Sequence, residues 1–226
     1  ADAGLLIPHE AIRRQMAMMI QSVNAMSDTP EDKEAWKLTL FSKWYSEYFY
    51  VSVHEHHDIE EKIYFPWMMS KTTIPEKEFG KSHEELMSAM AEIKKCCAEI
   101  IKKGGKGCSA QVATLKEKVP KFVTDMKAHL KEEEESLPAL LRENFTQEEE
   151  GKIVDQIIQA GGLEMAKKFL PAILQSLQEW TTDEFYAGFC GSIPPPVKHL
   201  LDNYFVPDYE NVVTTMRDAP TLATEP

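Results

Sequence analysis

Apolar residues recur at alternating three- and four-residue steps along the first 145 positions of the chain. No run there shows the period of two, bounded by turn residues, that a half-buried strand requires. Four stripes are legible, and each predicts an amphipathic helix. The first runs through His9, Ile12, Met16, Met19, Val23 and Met26. The second runs through Leu38, Phe41, Tyr45, Tyr48, Ser52, His56, Ile59 and Ile63. The third is Phe79, His83, Leu86, Met90, Ile93, Cys97 and Ile100, and the fourth is Val112, Leu115, Val119, Phe122, Met126, His129, Glu133 and Leu137.

Breaks fall between the stripes. Thr29 and Pro30 read as a helix cap and first helical residue, residues 70–75 end in a proline, and Gly104, Gly105 and Gly107 punctuate the third connection. Pro120 interrupts the fourth stripe, so a kink or a late start is expected there. Short connections between four helices predict an all-α, antiparallel up-down four-helix bundle over 5–143. Thr146 and Glu149 then form a capping-box signature for a fifth helix, which Gly161 and Gly162 end. Helical segments follow near 163–179, 183–190 and 197–204, giving a C-terminal helical extension over 146–205. Residues 206–226 read as an extended arm or tail.

Composition narrows the partners. A formal net charge of −12 leaves no basic patch for nucleic acid or an anionic membrane surface. No stretch of about 18 apolar residues could span a bilayer. The four cysteines show no CxxC or Cys-to-His zinc spacing, and Cys96 and Cys97 are adjacent, so an intracellular, reducing compartment is expected.

The chemistry lies where the stripes turn polar. His9, His56, His83 and His129 occupy positions that should be apolar, one per helix. In an antiparallel pair, residues equidistant from the turn share a level. The midpoints of 9 and 56, of 56 and 83, and of 83 and 129 are 32.5, 69.5 and 106, on or beside the three breaks. Four imidazoles therefore meet at one level. Glu60 and Glu133, each four residues after a stripe histidine, point to the same core one turn on. Buried carboxylates without partners cost several kcal/mol or become protonated, and a metal removes that cost. Imidazole and carboxylate without thiolate suit iron, manganese or zinc. Six donors exceed one tetrahedral zinc and predict two metals bridged by the glutamates.

The neighbours rank lower. His54 falls on a solvent face; His57, with Glu61 one turn below, lies on an intermediate face as a secondary candidate, as does Glu134. Met16, Met87, Met90 and Met126 are candidates to line a gas pocket, although plain core is the commoner use of such residues.

These residues resemble the hemerythrin-like (HHE cation-binding) family. The likeness rests on His9 in PHEAIRRQM, His56 and Glu60 in HHDIEEKIYFP, His83 in SHEELM, and His129 and Glu133 in HLKEEEESLP. It implies a non-haem centre of two iron ions with an Fe–O–Fe or Fe–OH–Fe bridge, manganese or zinc ranking below iron, and O2, NO or peroxide as small ligand. Oxygen carriers of the family have a second histidine where this chain has Met87, and an aspartate where it has Glu134. The set resembles instead the six-ligand members linked to iron sensing, nitric-oxide response or iron–sulfur repair. An enzyme acting on O2 or peroxide, or in iron oxidation, is the runner-up expectation, and iron storage the third. The stretch from Phe145 to Leu177 is similar to the segment after hemerythrin domains in plant and algal iron-regulating ubiquitin ligases, so a protein partner is expected through the extension.

Overall fold

The computed structural model describes residues 3–74 and 76–222, with side chains described for 4–74 and 82–222. Phe79, at the head of the third stripe, lies outside the described side chains. Four long helices form the bundle: α1 (Ala3–Ala25), α2 (35–69), α3 (Glu76–Lys102) and α4 (Ser109–Asn144). α4 packs on α1 and α3, and α3 packs on α2. The stripe residues Ile12, Met19, Leu86, Ile93, Leu115, Val119 and Phe122 are all buried in one core.

α2 is one rod with two interruptions, π-helical turns at Tyr45–Phe49 and Glu60–Tyr64. Each π turn closes an i to i+5 hydrogen bond, so it adds a residue and rotates all that follows relative to a regular helix. The expected second stripe is altered accordingly. Tyr48 and Phe49 are both buried, as are Ser52 and Val53, and His56 and His57. Beyond the second π turn the core contacts come from Phe65 and Met68, while Ile59 and Ile63, which the pattern placed inside, are only half-buried.

The first connection ends later than the sequence suggests. Glu34 accepts a hydrogen bond from the Glu31 N–H at 3.1 Å, and a 3-10 turn at Asp32–Glu34 leads into α2, so Glu31 rather than Thr29 caps the helix. In the third connection Gly105 has φ +76°, and a Cβ there would meet the Ala35 carbonyl oxygen at 2.0 Å. Only glycine fits. Pro120 causes neither a late start nor an end, since α4 runs through it from Ser109.

The remaining helices are α5 (Gln147–Lys168), α6 (Leu170–Trp180), α7 (Asp183–Ser192) and α8 (195–218). Thr146 caps α5 with the expected reciprocal bonds to Glu149. At Gly162, φ 56° and ψ −154° leave the helical region, so the first stretch of α5 ends there as expected and a second stretch follows the kink to Lys168. Residues 206–218, expected as an extended arm, are helical (Val206–Asp218), with Tyr209, Val213 and Met216 buried. Pro207 follows directly on a π-helical turn at Leu201–Phe205, within the continuous helical path of α8. Residues 223–226 of the expected tail lie outside the described residues.

The extension shares the bundle core. α6 packs along α1, α5 lies against α2, and α8 crosses α1, α2 and α6. Phe169, Ile173, Leu177 and Tyr209 join the main hydrophobic cluster. Gln15 Nε2 donates to the Tyr209 hydroxyl at 3.3 Å, the Tyr48 and Tyr209 rings are 5.6 Å apart, and Arg14 pairs with Glu179. Among the described residues no helix is long and apolar enough to cross a membrane.

Candidate metal centre

The bundle brings together His9 from α1, His56 and Glu60 from α2, His83 from α3, and His129 and Glu133 from α4. All six are buried, none more than 7% exposed. Three overlapping donor groups result: His9, His56 and Glu60; Glu60, His83 and Glu133; and His57, His83 and His129. Within each, donor atoms lie within 4.8 Å of one another. His57, given secondary rank by the sequence, stands among them at 2% exposure.

Two halves are joined by the carboxylates. In one, the His9 and His56 rings meet edge to face at 5.2 Å. In the other, His57 stacks on His83 at 4.2 Å and meets His129 edge-on at 5.3 Å. Glu60 Oε1 is 3.2 Å from His56 Nε2, and its Oε2 is 3.7 Å from His83 Nε2. Glu133 Oε2 is 3.4 Å from His9 Nε2, and its Oε1 is 3.3 Å from His129 Nε2. Each glutamate thus reaches both halves. Consecutive residues on a helix differ by about 100°, so His56 turns toward α1 and His57 toward α3 and α4.

Glu61 and Glu134 are placed differently from the ligand role considered for them. Glu134 Oε1 accepts from His9 Nδ1 at 2.8 Å, and Arg13 Nη2 donates to both Glu134 oxygens at 2.7 Å. Glu61 Oε1 accepts from His83 Nδ1 at 2.9 Å. A carboxylate can only accept, so each fixes the proton on Nδ1 and leaves Nε2 facing inward with its lone pair. Both sit one position beyond an inward glutamate, on the face that meets a neighbouring helix. Their carboxylates reach the outer nitrogens, not the centre. His54 stays at the surface, its nearest carboxylate Asp58 at 3.8 Å.

Met16, Met90 and Met126 are wholly buried in the same core as Phe49 and Phe122, and Met87 packs half-buried at its edge. A large cavity under the extension opens on His56 and Glu60.

Electrostatics expose the cost of this arrangement. Burial, reinforced by Glu133, pushes the Glu60 carboxyl up to about 7. Burial also pushes His56 and His57 well below the ordinary imidazole range, and His129 to about 4. For His9, burial is outweighed by Glu134, Glu60 and Glu133, which carry it up to about 9. Both oxygens of Glu60 and Glu133, Nε2 of His9 and of His56, and both nitrogens of His57 are buried without a hydrogen bond among the described residues. Each such group costs on the order of 1–3 kcal/mol, more when charged. Lone pairs converging from four helices are what a bound cation would satisfy. His83 Nε2 and His129 Nε2 are 3.0 Å apart, a hydrogen bond when one of them carries the proton, and both would be free to hold a cation once that proton leaves.

Fold and donor set together define a helical-bundle cation-binding protein. The hemerythrin HHE cation-binding domain matches residues 4–141, and the chain belongs to that family. No curated protein and no solved structure matches it significantly.

Proposed function

We propose that the chain is a non-haem di-iron protein that binds O2 or NO at a centre held by His9, His56, His57, His83, His129, Glu60 and Glu133. The observation that carries this reading is the unequal donor count. Two imidazoles stand on one side of the paired carboxylates and three on the other. The His9–His56 side therefore offers one fewer protein ligand, and it borders the cavity. Zinc ranks lower because it has no redox chemistry; the thiolate-free donor set suits iron and manganese alike, and iron is preferred on the family resemblance. When bound, the metals would supply reversible one-electron chemistry toward a small oxygen- or nitrogen-containing ligand.

The protein's own part is positional. Glu134, held by Arg13, and Glu61 keep His9 and His83 in the tautomer that ligates. Burial keeps bulk water from the carboxylates. Because four helices contribute donors, metal occupancy adds directly to bundle stability, which suits a sensor whose partners read the folded state. A di-iron enzyme acting on O2 or peroxide is the second reading, favoured by the cavity that reaches His56 and Glu60. One two-metal site per chain serves storage poorly.

Spectroscopy separates the two readings. Iron-loaded, reduced protein exposed to O2 should develop a visible absorption band that disappears under argon and returns on re-exposure. A band that decays with consumption of reductant or peroxide would favour the enzyme. No band in protein carrying two irons would overturn O2 binding.

A further inference from the structure

Between the bundle and the extension lies a cavity of about 540 Å3. Its bundle wall includes Ile7 of α1 and Ile59 of α2, and its extension wall includes Ile157 and Ala166 of α5, Ile173 of α6 and Val197 of α8. Val154, Ile158 and Leu163, between 40 and 56% exposed, mark where it meets solvent. Folded cores close-pack and leave few voids larger than a water molecule, because each void sacrifices dispersion contacts. The extension packs tightly elsewhere on α1 and α2, yet here it stands away. Gly162, in the left-handed region, produces the kink that bows this part of α5, and it lies in the wall itself. The cavity is built into the chain path.

Size and charge define the occupant. Pockets for small organic ligands run roughly 300–1,000 Å3 and are mostly apolar with a few polar groups. Here the polar groups include His56 and Glu60 at the inner end and Glu150 along the lining; no lysine or arginine lines the cavity among the described residues. An anionic headgroup buried beside those carboxylates would lack a side-chain counter-charge. We propose that this cavity binds a neutral, mostly apolar organic molecule of the size of a single-chain lipid, an alcohol or ketone rather than a fatty acid, with one end at His56 and Glu60. The preference for a neutral end belongs to the metal-free protein, because a cation held at His56 and Glu60 would offer a carboxylate its counter-charge.

Nile red provides the probe. The full chain is titrated with the dye by fluorescence before and after metal loading, and in the metal-free protein the dye is then displaced with 1-hexadecanol or palmitate. The expected result is saturable one-site binding, displaced by the alcohol at least tenfold more effectively than by the acid. Ala166→Trp, which fills the cavity from its buried wall, should weaken dye binding at least tenfold. Should that variant fold poorly, Ile157→Trp, at a half-buried position of the same wall, should weaken it while the melting temperature stays unchanged. Absence of saturable binding, unchanged affinity in both folded variants, or preference for palmitate would overturn the proposal. So would a dimer in sedimentation that excludes the dye, because a second copy would then be the occupant.

Discussion

His56 and His57 are neighbours in sequence but belong to different halves of the centre, one against His9 and the other stacked on His83. Under the proposed assignment, His57→Ala removes a donor from the three-histidine half and should lower metal content toward about one per chain, whereas His54→Ala should leave it unchanged. Elemental analysis distinguishes them. The outer carboxylates make a separate prediction. Glu134→Gln and Glu61→Gln should preserve stoichiometry while weakening metal affinity about 10- to 100-fold, the usual effect of losing the partner that orients a ligating histidine. A competitive chelator titration reads this out. Acidity should matter as well. Without metal, His9 holds its proton up to about pH 9 and Glu60 holds one up to about pH 7. Metal must displace both, so affinity should rise with pH between 6 and 8, with roughly one to two protons released per binding event. Calorimetry in buffers of different ionisation enthalpy measures the number, and none released would contradict it. The sequence revealed His9, His56, His83 and His129 because antiparallel register is arithmetic on turn positions. It could not rank His57, whose face depends on the π turn at Tyr45–Phe49. It also could not tell an inward glutamate from one that reaches a histidine's outer nitrogen.

At the scale of elements, α2 departs most from its pattern. A regular helix carries Ile59 and Ile63 inward. The π turn at Tyr45–Phe49 takes Ile59 off that face, and the one at Glu60–Tyr64 carries Phe65 and Met68 inward in place of Ile63, against Leu5, Leu137 and Leu141. Deleting Lys62, an exposed residue inside that turn, should restore α-helical phase and expel both side chains. With about 1.5–3 kcal/mol for each large apolar side chain, the loss should be about 3 kcal/mol or more in urea denaturation. The third connection is as specific. Gly105→Ala should cost about 2 kcal/mol or more, from the left-handed backbone and the contact with Ala35 combined. The glycines of that turn were readable as a break. Their close approach to α2 was not, because it depends on where another helix begins. The last helix was read as an arm, although Tyr209, Val213 and Met216 carry helical spacing.

The molecule as a whole is a bundle closed along α1 and α2 by its own extension. The bundle was legible from periodicity, and so were most of the extension's helices. Their docking was not, since periodicity identifies an apolar face without naming what covers it. Removing residues 147–226 would uncover Gln15 and Tyr48, which meet Tyr209, and take Phe169, Leu177 and Tyr209 from the shared core. A net stability of about 5–15 kcal/mol does not survive losing several such side chains. The shortened chain should lose its cooperative thermal transition, and a full-strength transition at unchanged temperature would show that the extension is an independent lobe. The two-metal centre is tested most directly by the iron content of the full chain after anaerobic loading with ferrous iron and removal of free metal. Two irons per chain are expected, fewer in His56→Ala or Glu60→Ala, and the same number in His54→Ala. A value near zero or one in protein that is folded and metal-replete would contradict it.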